Sequence, residues 1–371
     1  MRATVGATLV LAACGDPCDR PGTICTIAGM PGEAGLGSDD TPALESPLYL
    51  PEDVDVAPDG TIYIADDNNH AIRAVDADAV MHIVAGGVFL GDGPDGDART
   101  SSLNHPASIS VDPEDPSLVW VAATGNHRIK LLDVDEGTIR VIAGTGEPGF
   151  VGDGGLAENA ELMRPSSAVV GADGRLYVSD KVNQVIRCVQ QDDHISTYAG
   201  QPSIRGYSGD GGPPGAATLH APEGQEYDPG NRITSGLGAL WVADTGNHVI
   251  RRIDVAIGLI DTVAGRAAPG YDPDLHVALS TRLNLPHDVA LGPTGELYIA
   301  DTGNHCVRVL HLDGTIDDFA GVCGETGFAG DGDDALLARL AAPGGIGVDA
   351  RGDVYIADTQ NHVVRRVRAP R

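Results

Sequence analysis

Residues 296–311 read ELYIADTGNHCVRVLH. Two alternating apolar stretches flank a short polar loop with one Gly, the pattern of two strands joined by a tight connection. Five other segments match it: TIYIADDNNHAIRAVD from Thr61, LVWVAATGNHRIKLLD from Leu118, RLYVSDKVNQVIRCVQ from Arg175, ALWVADTGNHVIRRID from Ala239 and DVYIADTQNHVVRRVR from Asp353. The anchor position is His70, His127, Gln184, His248, His305 and His362, at steps of 57, 57, 64, 57 and 57 residues. A fixed period of this length is the mark of a repeat architecture. A Pro heads each repeat (Pro51, Pro106, Pro165, Pro222, Pro286, Pro343), and a Gly/Asp-rich string such as IAGTGEPGFVGDGG closes it.

Within the fifth repeat four strands follow from the alternation: strand a over 288–291, b over 296–300, c over 305–311 and d over 315–320. Asp313-Gly314 makes the last hairpin turn. Four antiparallel strands repeated six times predict an all-β, six-bladed propeller. The last repeat stops after strand c. Thr23–Gly29, TICTIAG, matches the strand d pattern LIDTVAG at 259–265. The N-terminal strand is therefore predicted to complete the last blade and leave no open edge.

The string DTGNHVIRRID, preceded by LYIAD-type strands and followed by a Pro-headed strand, resembles the NHL-repeat family, over nearly the whole chain after Gly22. The resemblance implies a six-bladed propeller and leaves the activity open, because the family includes a peptide-amidating lyase, RNA-binding propellers, kinase sensor domains and adhesion receptors. The GDGG-loop variety resembles bacterial secreted members. In the lyase several His of the central ring bind zinc. Here only His287 stands in that ring, which puts that activity in doubt.

The 371 residues carry Lys+Arg 24 against Asp+Glu 53, a net charge of -29. Such a surface repels phosphate backbones and anionic lipid, which argues against nucleic acid as a partner. No run of 18 apolar residues is present. Residues 1–13, MRATVGATLVLAA, followed by Cys14, have the form of a secretory signal ending in a lipobox-like Leu-Ala-Ala-Cys. The predicted organisation is a lipoprotein signal peptide over 1–13, a tether over 14–22 starting at lipidated Cys14, and a propeller over 23–371. Membrane contact would be through the lipid alone. The remaining cysteines suit an oxidising compartment. The hairpin around Asp313-Gly314 brings Cys306 and Cys323 near one another, and Cys18 and Cys25 are close enough in sequence to pair.

The recurring Asp and His around the b–c loop read as local turn caps, and the mid-strand aromatics Tyr63, Trp120, Tyr177, Trp241, Tyr298 and Tyr355 as blade-to-blade packing. The Asp of each GDG loop reads as the N-cap of a short turn. Divergence is concentrated just after each Pro, where strand a enters the central channel. There Glu52, Asp53, Glu223, His287 and Asp288 gather, a set suited to a divalent cation such as Ca²⁺ or to another ligand. Residues between Tyr227 and Gly238 read as an insertion into an a–b turn on the opposite face. No HExxH or GxSxG motif occurs. The sequence thus supports a cell-envelope, lipid-anchored, extracytoplasmic binding scaffold for a protein, peptide or glycan. The alternative is a metal-dependent hydrolase or lyase working at the channel mouth.

Overall fold

The computed structural model describes residues 17–87, 89–222 and 230–369. Six antiparallel sheets are arranged as six blades, and the sheets do not pair with one another. In the fifth blade strand a is Asp288–Leu291, b Leu297–Asp301, c Cys306–Leu310 and d Ile316–Ala320. The sixth blade takes its strand d from the N-terminus: Thr23–Gly29 pairs antiparallel with Val363–Val367, Ile24 opposite Val367 and Gly29 opposite Val363. The ring is closed as the repeat count requires.

Three blades have a fifth, two-residue outer strand beyond the expected four: Thr41–Pro42, Gly96–Asp97 and Asp333–Asp334. In the other three a single bridge stands in its place, as in Val277 to Thr315. The cause is the route of the d–a connection. It runs down the outer edge of the next blade before turning inward, and so covers the exposed N–H and C=O groups of strand d.

Among the described residues, the buried apolar side chains form six clusters, each spanning two neighbouring blades. The core is therefore a set of seams. The mid-strand aromatics lie in these seams, Tyr177 against the strands of the fourth blade and Trp241 against those of the fifth. Cys306 is joined to Cys323 across the c–d hairpin of the fifth blade, and Cys18 to Cys25 at the closing strand. Cys188 is buried and unpaired.

The DTGNH segment between strands b and c acts across the seams, which corrects the reading of it as a local cap. Thr302 Oγ1 donates to the carbonyl of Pro343 at 2.7 Å, and His305 Nδ1 accepts the N–H of Ala342 at 3.0 Å. Both partners head the next blade. Thr245 and His248 hold Pro286 and Leu285 in the same way, and Thr359 and His362 hold Pro51 and Leu50. In the third blade Gln184 replaces His and its Oε1 accepts from the N–H of Ala221. Each of these anchors sits in the left-handed region, His305 at φ 58, which turns its ring toward the neighbour.

The Asp and Asn of the motif hold the incoming connection. Asp301 Oδ1 accepts the N–H of Asn284 at 2.7 Å, while Asn304 Nδ2 donates to Asp301 Oδ2 and to the Gly270 carbonyl. Beneath them lies a buried cation from strand c: Arg73, Lys130, Arg187, Arg251, Arg308 or Arg365. The GDG aspartates pair with these groups instead of capping a turn. Asp153 meets Arg187 at 2.6 Å, Asp210 meets Arg251 at 2.7 Å and Asp331 meets Arg365 at 2.6 Å. An aromatic from the connection stacks on the same guanidinium, Phe150 on Arg187 and Phe328 on Arg365. The fifth blade lacks a GDG in its connection and uses Asp318 of strand d, 2.7 Å from Arg308. In the second blade Ala123 replaces the strand b Asp and the cation is Lys130, which Asp92 faces at 3.5 Å. Its connection is held by Asn126 Oδ1, which accepts from Asn104 N.

Removal of residues 23–28 should leave the edge of Val363–Val367 unpaired, so aggregation or a large fall in melting temperature is expected in a thermal scan. An unchanged melting temperature would contradict the shared blade. A second outcome concerns pH. Burial, and then His220, lowers the pKa of His248 from its ordinary 6.5. A depressed histidine stabilises the fold above 6.5, and that contribution fades as pH falls and the unfolded chain takes up the proton. His248→Gln should keep the seam contact, as Gln184 does, and lose less stability between pH 7 and pH 5 than the native protein. His248→Ala should cost about 1 kcal/mol at pH 7 in urea unfolding.

Candidate functional site

The innermost strands line the channel, and their first residues form its mouth. One ring is set by the residue that pairs with the penultimate position of strand b. It consists of Asp53, Ser108, Ser167, Arg232, Asp288 and Gly345. The fourth member corrects the sequence reading. Strand a of the fourth blade is Ile233–Gly236, so the extra residues of this repeat come before strand a in sequence and not in its a–b turn. The fourth blade therefore offers Arg232 at this position. Glu223 lies outside the described residues, as does Cys14.

Arg232 crosses the mouth. Its side chain is 1% exposed. Nη2 donates to the carbonyl of Ala107 in the second blade at 2.6 Å. Nη1 lies 3.4 Å from Asp53 Oδ1 and 3.8 Å from Asp288 Oδ2, and Nη2 lies 3.8 Å from Glu52 Oε2. One guanidinium from the fourth blade thus reaches the first, second and fifth. The sixth blade makes room with glycine: a Cβ on Gly345 would lie 2.2 Å from Asp53 Oδ1 and 2.7 Å from Arg232 Nη1.

The acids are also tied to backbone. Asp53 Oδ2 accepts the N–H of Ile109 and Asp288 Oδ2 that of Ile346, each in the next blade. Ser167 Oγ does the same for Ile233, and Asp55, one turn of the pleat deeper, for Val111. These short polar side chains link innermost strands that are not paired by sheet hydrogen bonds. His287 is half-buried beside them, and its carbonyl accepts from the Arg232 N–H at 3.3 Å.

Burial raises the pKa of Asp53, against the pull of Arg232. Burial and then the Asp53 charge push Asp288 up to about 7, and burial pushes Asp55 up to about 6. Burial alone would pull Arg232 down, but Asp53, Asp288 and Glu52 hold it above its ordinary value. Several carboxylates around one cation in a dry site favour the charged guanidinium and disfavour full ionisation of the acids. Below this ring lies a polar cavity of about 160 Å³ lined by Asp55, Ser110, Thr234 and Ser235.

Glu52, Asp53, His287 and Asp288 are therefore brought together, around a positive charge the protein supplies itself. The sequence signal for Arg232 was available. The ring residue stands ten positions before the mid-strand aromatic in the first, third, fifth and sixth blades, and Arg232 stands nine before Trp241.

Arg232→Met should leave these acids without their cation and cost about 3–5 kcal/mol in urea unfolding. Millimolar Ca²⁺ should raise the melting temperature of that variant and leave the native protein unchanged. A Ca²⁺-dependent rise of several degrees in the native protein would show that Arg232 does not meet the charge requirement.

Comparison with known proteins follows the architecture. The NHL repeat profile matches residues 48–74 and 283–310. Teneurin-m of Drosophila melanogaster is 29% identical over 359 residues, covering 88% of this chain and 12% of that protein. NHL repeat-containing protein 2 of Bos taurus is 27% identical over 297 residues, covering 72% and 40%. The chain thus spans well under half the length of these curated relatives. A crystal structure of an auxiliary nutrient binding protein from Bacteroides thetaiotaomicron superposes with a TM-score of 0.65 at 17% identity, covering 92% of this chain and 75% of that one. At such identity the likeness is one of fold. Among the described residues no helix is long and apolar enough to cross a membrane. The chain is a six-bladed β-propeller in which the NHL repeat profile matches the first and fifth blades.

Proposed function

We propose that this protein is a binding scaffold of the bacterial cell envelope, cleaved before Cys14 and held to the membrane by lipid on that residue. In this reading residues 14–22 are the tether and the propeller from residue 23 engages a protein, peptide or glycan on the mouth face. The observation that carries the reading is Arg232. It reaches across the channel mouth to the first, second and fifth blades and neutralises the acids there, so a ligand would meet a braced rim framed by the long d–a connections. Glu52 and His287 are the half-buried members of the cluster and the points at which a ligand would touch it. The name of the Bacteroides neighbour, a nutrient binding protein, supports binding as the kind of job this architecture does in that setting. The net charge of -29 supports a basic or neutral partner over an acidic one.

The test has two arms. Cys14→Ser should move the protein from the membrane to the soluble fraction. Solubilised envelope material should yield a retained protein, peptide or glycan on the immobilised native protein and lose it on a Glu52→Gln/His287→Ala variant. Equal retention by both proteins would remove the mouth as the site. Consumption of the retained species would replace the scaffold by a hydrolase or lyase.

A further inference from the structure

The face opposite the mouth carries the a–b and c–d turns, and it is divided by chemistry. The c–d turns of the first three blades carry acids: Asp76 and Asp78, then Asp133, Asp135 and Glu136, then Asp192 and Asp193. Those of the fourth and fifth have one acid each, Asp254 and Asp313, and add Ile257 and Leu312, 67% and 75% exposed. Leu237, on the a–b turn of the fourth blade, is 62% exposed. It flanks Gly295, where a Cβ would lie 3.4 Å from Leu312 and 3.5 Å from Leu237. Exposed large apolar residues scattered singly are ordinary, but Leu312 lines a cavity together with Val277 and Leu279, 59% and 56% exposed, and with Gly295, which Leu237 flanks.

That cavity, of about 440 Å³, opens at the seam between the fourth and fifth blades. Its floor is Trp241 and Leu297, and its walls include Val277, Leu279 and Leu312. The indole Nε1 of Trp241 already donates to the Gly236 carbonyl, so a satisfied aromatic ring lines the space. The volume is that of a pocket for a small ligand or a bulky side chain. The rim is acidic. Asp313 lines it, and exposed Asp261 adjoins the lining residue Thr262. The nearby cation, Arg252, is stacked over Trp241 and bonded to Asp254 at 3.1 Å.

We propose that this pocket binds a basic peptide segment of a partner protein, one bulky apolar side chain filling the cavity and flanking lysines or arginines meeting the acidic rim. The cavity supplies an anchor of the kind that dominates interface energetics. The charge decides the occupant. A second copy of this chain would bring its own -29 to the same face, and anionic lipid would be repelled. A basic segment gains from both the pocket and the field. The site lies on the opposite face from the mouth, so it stands apart from the binding reading given above.

The probe is a fluorescein-labelled peptide with a Leu-Trp-Leu centre and two lysines at each end, titrated by anisotropy into the full chain at low salt. Binding should weaken at least about tenfold when the centre is replaced by alanines, when the lysines are replaced by glutamates, or when the protein carries Leu312→Asp or Leu279→Asp. Both positions are more than half exposed, so both variants should melt with the native protein. Absence of native binding, equal binding of the alanine or glutamate peptide, or equal binding by both variants overturns the proposal. So does a concentration-dependent dimer in sedimentation that Leu312→Asp abolishes, which would assign the face to a second copy.

Discussion

Six sheets that do not pair with one another must be held as a ring, and this constraint governs the rest of the molecule. Apolar packing fills the seams but does not fix their register, because it is non-directional. Register comes from side chains that reach across. The Thr and His of each DTGNH segment grip the two residues that head the next blade, as Thr245 and His248 grip Pro286 and Leu285. In the third, fourth and sixth blades the buried arginine of strand c then fixes the outer connection through the GDG aspartate, so these blades are tied at the turn and at the edge.

The same need operates at the axis, where it shapes the candidate site. Innermost strands converge there, and Asp53, Ser167 and Asp288 each take an N–H from the following blade. Buried carboxylates require a counter-charge. Arg232 provides it and spans the mouth in doing so. A feature that resembles a cation site in sequence is thus also part of the ring's own bracing. In the reading proposed above, ligand contact then falls to Glu52 and His287, the half-buried members of this cluster, which the other repeats do not share.

The repeat period made the blades and the shared last blade readable, because a strand pattern recurring at 57 residues has few other solutions. The roles inside the repeat were harder to read. A Thr or His that bonds across a seam and one that caps its own turn look alike in a single segment. The 64-residue step hid the fourth blade's first strand: the Pro222 anchor led to Glu223, whereas the strand follows Arg232 at Ile233. The buried arginines were also passed over, since an Arg in every strand c reads as solvent-facing until the GDG aspartates are seen to close on it. The apolar turn sector became visible only when the structure set Leu237 and Leu312 beside one cavity.

The most direct test of the account is the cost of a single seam hydroxyl. Thr302 and its acceptor, the Pro343 carbonyl, are buried and 2.7 Å apart, and valine keeps the side-chain volume. Urea unfolding of Thr302→Val should show a loss of about 1–3 kcal/mol, since the carbonyl is left without its donor in a dry seam. A stability equal to that of the native protein would mean that the seams are held by packing alone, and would contradict the account.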